Sequence, residues 1–201
     1  MSVFWTLAAR STQLLQLPRL TMSNSPKSLL TPPVGPTDHV EGPLHAPITL
    51  LEYGDFECPA CEQAYGAVRI LRTRYAKHMR FVFRHFPLRE VHPHAEFAAE
   101  VAEAAGAQGK FWQMEALLFQ NQAHLKPHAL RQYAAALELD MIRYDAEMGD
   151  RIYLQRVQEQ IASGQASGVR ATPAFFLNGQ PVDVSFGIER LGHALEALIP
   201  G

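Results

Sequence analysis

Cys58 and Cys61 are the side chains of this sequence best suited to covalent chemistry, and the chain contains no other cysteine. A disulfide across so short a loop removes little entropy from the unfolded chain, so the pair is poorly suited to stabilising a fold. A tetrahedral structural zinc site would need two further ligands from elsewhere in the chain. The spacing therefore favours a redox-active dithiol, with metal binding as the alternative.

A predicted strand leads into the cysteine pair and a predicted helix follows it. The run 48–53 is short, apolar and partly β-branched, and Gly54 ends it, as is typical of a buried strand. Apolar side chains then recur every three or four residues between 65 and 79, which indicates an amphipathic helix. Pro59 suits the first turn of that helix, because no backbone hydrogen bond is lost there.

The two thiols have different environments at such a junction. Unpaired amides and the helix dipole stabilise an anion at a helix N-terminus, and they lower the pKa of a cysteine there. We therefore predict that Cys58 is the nucleophile and that Cys61, one turn further along the same face, is the resolving thiol. Asp55 and Glu57 would oppose the Cys58 thiolate if their carboxylates lay close to it.

The remaining chain alternates between strand and helix patterns. A second strand at 80–86 completes a β-α-β unit, and two strands around an Asn-Gly turn followed by a helix form a β-β-α unit. The predicted helices between these units are 95–107, 111–122, 127–139 and 150–163, and the β-β-α unit comprises 174–177, 182–184 and 188–198. We predict an α/β protein in which segments 38–92 and 169–201 form one domain around an all-helical insertion domain, 93–168.

Composition excludes several classes of partner. The 201 residues carry a formal net charge of -2, which provides no basic surface for nucleic acid or for an anionic membrane. No apolar run approaches the roughly 20 residues of a membrane-spanning helix, so no stable membrane insertion is expected. The expected partners are protein or small-molecule thiols and disulfides, together with a redox partner that the sequence does not identify.

The first 37 residues differ from the rest because they contain no acidic residue. We predict that 1–37 is a disordered or processed segment and not part of the domain core. Its apolar stretches are too interrupted for a standard secretory signal. It could be transit-like, or translation could begin at Met22. A start at Met22 would indicate the cytoplasm, which we favour, whereas cleavage nearby would indicate a periplasmic or otherwise exported protein.

Three motifs in order connect the chain to a known family. They read LEYGDFECPAC at 51–61, RHFPL at 84–88 and GVRATPAFFLNG at 168–179. Over about residues 38–200 the sequence resembles the DsbA-like thiol-disulfide oxidoreductases of the thioredoxin superfamily. The resemblance implies a thioredoxin fold with an inserted helical domain, disulfide exchange with protein substrates, and no metal or organic cofactor.

The resemblance also implies a set of site residues around the cysteines. The Thr172–Pro173 bond would be cis, which would place the backbone of residue 172 beside Cys58, where an extended substrate peptide could pair with it. The substrate-contact positions would then be Thr172, Pro173, Pro59 and Ala60. The alternative is an ordinary trans proline before an edge strand.

Glu52 occupies the place of a buried acid beneath the active site of the family. Such a carboxylate would have a raised pKa and could accept the Cys61 proton during resolution. The alternative is a partly solvated acid at the end of a strand. Pro59-Ala60 stands where strongly oxidising members have Pro-His, so no imidazole stabilises the Cys58 thiolate and a less oxidising protein is expected. A non-catalytic peptide-binding or chaperone-like module is the alternative function.

Other charged side chains near the motifs are interpreted as solvent-facing. His85, His92 and His94 lack the carboxylate or cysteine spacing that would complete a metal site. Arg72 and its neighbouring arginines are interpreted as the solvated face of the helix that follows the cysteines.

Overall fold

A mixed five-stranded sheet positions the cysteine pair. The computed structural model describes residues 29–198 of the chain. The strands lie in the order β1-β3-β2-β4-β5, with β2 and β3 parallel and every other neighbouring pair antiparallel. They are β1 His39–Glu41, β2 Ile48–Gly54, β3 Met79–His85, β4 Ala174–Leu177 and β5 Gln180–Val182.

Helices connect the strands and cover both faces of the sheet. Helix α1 (Pro59–Arg74) links β2 to β3, and α7 (Glu189–Glu196) follows β5, so the predicted β-α-β and β-β-α units are both present. Five helices lie between β3 and β4. They are α2 Ala95–Gly106, α3 Phe111–Gln120, α4 Pro127–Ala136, α5 Met141–Gly149 and α6 Leu154–Ala166. The predicted α/β fold with an all-helical insertion is confirmed.

Alternation along the strands creates two apolar cores. Leu50 on β2 packs in a core with α1, α7 and the insert, whereas its neighbour Leu51 packs in a second core on the other face. Successive side chains of a strand point to opposite faces, so Glu52 lies on the same face as Leu50. In register, Glu52 is opposite Phe83 of β3 on one side and Phe175 of β4 on the other. A carboxylate therefore stands among aromatic residues beneath α1.

Two elements were not predicted from the sequence. Strand β1 has only three residues, and it exists because it pairs antiparallel with the edge of β3. Helix α5 follows Asp140, whose carboxylate accepts hydrogen bonds from the amides of Ile142 and Arg143 at 3.1 Å each. An aspartate at that position is a standard helix-start signal, so α5 was detectable.

The segment just before β1 packs on the sheet, which differs from the predicted disordered or processed segment 1–37. Leu30 is buried in the second core, and the guanidinium of Arg84 donates to the carbonyls of Pro32 and Pro33. The predictions for residues 1–28, including an initiator at Met22, lie outside the described residues.

Candidate active site

Cys58 is the N-cap residue of α1. Its backbone is extended (φ -80°, ψ 120°), Pro59 begins the helix, and no side chain caps the helix by a hydrogen bond to a free amide. The amide of Cys58 donates to the carbonyl of Asp55 at 3.2 Å, which forms the turn that enters the helix. The amides of the first helical turn are therefore available to the sulfur of Cys58 itself.

The environment of Cys58 lowers its pKa to about 5. A hydrogen bond from the Cys61 thiol is the largest cause, burial opposes it, and the Thr172 side chain and the backbone amides of Ala60 and Cys61 contribute further. The hydroxyl of Thr172 is buried and has no hydrogen-bond partner among the described residues, so it is free to donate to the thiolate. A pKa of about 5 favours the thiolate form of Cys58 at neutral pH.

Cys61 lies one turn into α1 and is completely buried. Burial raises the pKa of its thiol strongly, and the bond to Cys58 and the nearby Glu52 carboxylate raise it further. Both cysteines are reduced in this structure. The two thiols therefore differ in acidity, because the pKa of Cys58 is lowered and that of Cys61 is raised.

Glu52 is a buried acid whose charge acts on the Cys61 thiol. Only 3% of its surface is exposed, and its Oε1 atom has no hydrogen-bond partner within the described part of the chain. Burial raises the pKa of Glu52 to about 8, Glu115 raises it as well, and Arg72 opposes the shift. The structure thus places Glu52 inside the protein rather than at a solvated strand end.

The loop before β4 closes the site from the distant part of the chain. The Thr172–Pro173 peptide bond is cis. The sulfur of Cys58 lies 3.4 Å from the carbonyl oxygen of Thr172. Pro59 and Ala60 are exposed beside this contact. The N-terminal end of α1 and the segment that holds Thr172 and Pro173 therefore meet at the sulfur of Cys58.

Asp55 contributes in a way that sequence reasoning missed. Its carboxylate accepts hydrogen bonds from the amides of Glu57 and Leu88 at 2.8 Å each, and His92 Nδ1 lies 2.7 Å from it. Leu88 and His92 belong to the segment that leads into the insert. The prediction that His92 faces solvent is therefore wrong, because its ring packs against this buried carboxylate.

Glu57 also links the active-site loop to the insert. Its carboxylate accepts a hydrogen bond of 2.6 Å from the amide of His94, at the start of α2. Neither Asp55 nor Glu57 is among the main causes of the Cys58 pKa shift. Both acids hold the loop to the insert, and the expected repulsion of the thiolate is not a main effect.

Gln122, after α3, is the third contact from the insert to this loop. Its side-chain amide donates to the carbonyls of Phe56 at 3.0 Å and Cys58 at 2.9 Å. No spacing in the sequence signals this contact, because more than sixty residues separate the partners.

Arg72 is also more than the solvated helix face that was predicted. Its guanidinium lies 2.9 Å from Glu115 and 2.5 Å from Glu41, and it stacks over Phe81 and Trp112 at 4.7 Å. The pKa of Glu115 rises to about 7 because of burial, although Arg72 opposes the shift. This ion-pair cluster joins α1, α3 and β1, and it contributes to the field around Glu52.

This arrangement of side chains is suited to thiol-disulfide exchange and to proton transfer. No group of three or more histidine, cysteine or acidic side chains within residues 29–198 is arranged to hold a metal ion. The site combines a thiolate, a second thiol beside it, and a buried carboxylate of raised pKa near that thiol. Such a set can form and resolve a mixed disulfide.

Comparison with protein families matches residues 35–197 to a family model described as Thioredoxin. Among solved structures, the oxidised BdbD of Bacillus subtilis has a TM-score of 0.73 at 18% identity and covers 82% of this chain and 94% of its own. Wolbachia pipientis α-DsbA1 has a TM-score of 0.73 at 19% identity and covers 86% and 96%. These likenesses show that the fold is DsbA-like.

Curated relatives carry a different kind of name. A Na⁺/H⁺ antiporter NhaA 1 of Salinispora arenicola is 47% identical over 170 residues, which are 84% of this chain and 26% of that protein. The antiporter NhaA of Herminiimonas arsenicoxydans is 41% identical over 170 residues, 84% of this chain and 27% of that protein. The chain thus spans about a quarter of these relatives. Among the described residues, no helix has both the length and the apolar character that a membrane crossing requires.

Proposed function

The chain belongs to the thioredoxin family, and we propose that it is a thiol-disulfide oxidoreductase that acts on protein substrates through Cys58 and Cys61. The observation that carries this proposal is the opposite acidity of two thiols one helical turn apart. The low pKa of Cys58 makes it a nucleophile and a good leaving group at neutral pH. Because its pKa is raised, the Cys61 thiol keeps its proton until a mixed disulfide has formed.

The proposed reaction begins with attack on a substrate disulfide. The Cys58 thiolate bonds to one substrate sulfur, the substrate S–S bond breaks, and the other substrate sulfur leaves as a thiolate that takes a proton from solvent. This step removes the negative charge from Cys58, so one of the groups that raise the Cys61 pKa disappears. Deprotonation of Cys61 becomes easier at that moment.

Resolution then uses Cys61 and Glu52. A pKa of about 8 leaves a minor fraction of Glu52 ionised at neutral pH. In that form its carboxylate accepts the Cys61 proton, the Cys61 sulfur attacks the sulfur of Cys58, and the bond between Cys58 and the substrate breaks. The substrate sulfur that was bound to Cys58 leaves as a thiolate and takes a proton from solvent. The protein loses two electrons and becomes a Cys58–Cys61 disulfide, while the substrate gains them and becomes a dithiol. The reverse sequence oxidises a substrate, and the redox potential of the partner decides the direction.

Thr172, Pro173, Pro59 and Ala60 are proposed to bind the substrate backbone. The carbonyl oxygen of Thr172 lies 3.4 Å from the sulfur of Cys58, and Pro59 and Ala60 are exposed next to Cys58 in the chain. A peptide that pairs with residue 172 as an added strand would bring its own sulfur into line with Cys58.

Reduction of insulin by dithiothreitol tests the proposal. The protein is expected to accelerate the reaction, Cys58→Ser to abolish the acceleration, and Cys61→Ser to accumulate a mixed disulfide visible by non-reducing electrophoresis. Glu52→Gln is expected to fold and to slow the resolution step. If Cys58→Ser keeps full activity, the catalytic proposal is wrong. Peptide binding without any turnover would instead favour the non-catalytic peptide-binding or chaperone-like module.

The names of the curated relatives raise the question of ion transport. We propose that the quarter shared with these antiporters carries thiol-disulfide chemistry, because the thioredoxin family model accounts for most of this chain. Sodium-loaded liposomes with the purified chain and an internal pH dye provide the test. No sodium-dependent pH change is expected, and a clear exchange signal would assign transport to this chain.

A further inference from the structure

Gln122 makes a contact that the reaction described above does not use. We infer that Gln122 is a positioning residue, which holds the backbone of the active-site loop so that the amides of Ala60 and Cys61 point at the Cys58 sulfur. The inference rests on the proposed function and extends it, because it assigns part of the control of thiol acidity to the helical insert.

The geometry of the contact is that of a bridge. One side-chain nitrogen of Gln122 lies 3.0 Å from the carbonyl oxygen of Phe56 and 2.9 Å from that of Cys58. A primary amide carries two N–H groups, so a single side chain satisfies both carbonyls and sets the distance between them. The two carbonyls flank Glu57, and the bridge therefore fixes the conformation of the loop at the residue that precedes Cys58.

The carbonyl of Cys58 is also the first acceptor of α1. It accepts hydrogen bonds from the amides of Cys61 at 3.0 Å and Glu62 at 3.2 Å, in addition to that of Gln122. Rotation about the Cys58 backbone would move this carbonyl and would also redirect the Cβ–Sγ bond. The donor from Gln122 thus opposes the motion that would carry the sulfur away from the helix amides.

Within residues 29–198, Gln122 is the side chain that donates to the carbonyls on both sides of Glu57. The N-cap of α1 has no side-chain hydrogen bond, and Pro59 donates none. Asp55 and Glu57 anchor the loop through their carboxylates, which accept amide hydrogens. Of the three contacts from the insert and its leading segment described above, Gln122 alone donates to the loop carbonyls, so its loss leaves the amide contacts of the acids in place.

Replacement of Gln122 by methionine tests the inference. Gln122→Met keeps the length and unbranched shape of the side chain and removes both donors. The matched control is Gln120→Met, because Gln120 is exposed and two residues earlier. The measurement is the pH dependence of Cys58 alkylation by iodoacetamide in the reduced protein, followed by peptide mass spectrometry, together with thermal unfolding of each variant.

The expected midpoint for the parent protein and Gln120→Met is near pH 5. For Gln122→Met it is expected to rise by about one unit, which corresponds to a roughly tenfold smaller thiolate fraction below the midpoint. A lower melting temperature with an unchanged midpoint would overturn the inference, because it would show a purely structural contact. If Gln122→Met does not fold, Gln122→Asn decides by the same criterion, since asparagine is too short to bridge both carbonyls.

The outcome separates this inference from the proposed function. Alkylation reports the thiolate whether or not the protein turns over a disulfide substrate. A midpoint that responds to Gln122 in a protein without insulin reductase activity would support the positioning role and reject the enzyme. Full reductase activity with an unchanged midpoint in Gln122→Met would support the enzyme and reject the positioning role of Gln122.

Discussion

Cys58 and Cys61 lie three residues apart, yet the protein gives their thiols opposite acidities. Cys58 receives hydrogen bonds from the Cys61 thiol and from helix amides, which favour its charged form. Cys61 is buried, and burial together with the nearby Glu52 favours its neutral form. The difference arises because the helix places one sulfur at its end and the other inside the apolar core.

Alkylation should distinguish the two thiols directly. Iodoacetamide is expected to modify Cys58 with a midpoint near pH 5, because only the thiolate reacts. Cys61 should remain unmodified over the range in which the protein stays folded. Peptide mass spectrometry at each pH provides the measurement. Equal modification of both cysteines, or a Cys58 midpoint near that of a free thiol, would contradict the described asymmetry.

Glu52 should make the stability of the protein depend on pH. Its pKa is about 8 in the folded protein and about 4.5 in the unfolded chain, so the folded state keeps a proton that the unfolded state releases. The stability that this proton provides is fully present below pH 4.5 and is lost as the pH rises through 8. At about 1.4 kcal/mol per pKa unit, the loss amounts to a few kcal/mol.

Glu52→Gln tests that dependence, since glutamine does not titrate. The free energy of unfolding of the variant, relative to the parent, is expected to rise by a few kcal/mol between pH 5 and pH 9. Urea denaturation at several pH values measures it. A constant difference between the two proteins across this range would show that Glu52 is ionised in the folded state.

At the scale of elements, the approach of α6 to the sheet depends on a single glycine. A Cβ atom on Gly164 would lie 2.5 Å from the ring of Phe86 and 3.2 Å from that of Tyr53. Both rings belong to the second core, and the hydroxyl of Tyr53 also bonds to Ser163 of α6 at 2.8 Å. The helix therefore packs against the sheet through its own backbone.

Gly164→Ala should destabilise the protein although alanine is the better helix former. The clash with aromatic side chains is expected to cost about 1–3 kcal/mol. Gly66→Ala on α1 is the matched control, because its Cβ would meet nothing within 4 Å. The control should gain about 0.5–1 kcal/mol from helix propensity. Urea denaturation of both variants measures the contrast, and a stabilised Gly164→Ala would show that α6 can move outward freely.

At the scale of the whole molecule, a buried carboxylate ties the insert to the sheet. Glu103 of α2 lies 2.9 Å from His39 Nε2, 3.0 Å from His85 Nε2 and 2.6 Å from Arg156 Nε. Hydrogen bonds from His39 and His85 hold the pKa of Glu103 well below its ordinary value, although burial opposes them. The prediction that His85 faces solvent is wrong, since its ring is fully buried in this cluster.

Glu103→Gln should weaken the contact of the insert with the sheet. A depressed carboxylate pKa contributes stability that is present above the ordinary pKa near 4.5 and is lost as the pH falls. The variant is therefore expected to lose about 3 kcal/mol at pH 7, and the deficit should shrink toward pH 3. Guanidinium denaturation measures it, with Glu90→Gln as an exposed control. Equal stability of Glu103→Gln and the control at pH 7 would contradict this view.

Local patterns predicted most of the secondary structure and the reactive pair. The strand 48–53, the helix after Pro59 and the helical block before 168 all follow from periodicity and from glycine and proline positions, which act over short distances. Strand β1 escaped prediction because three residues carry no period, and its existence depends on an open edge of β3.

The chemistry of Cys58 was readable from a helix start, because capping and dipole effects act within one turn. Its actual surroundings depend on chain segments that are far apart in sequence, namely Thr172 beside the sulfur and Gln122 on the loop carbonyls. Residues of one type can differ in burial. Arg72 forms a buried ion pair with Glu115, although its sequence context resembles that of its exposed neighbours. Residue identity and short-range order predicted Cys58 as the candidate nucleophile. Only the tertiary structure determines the contacts that lower its pKa, because packing decides which distant groups are buried together.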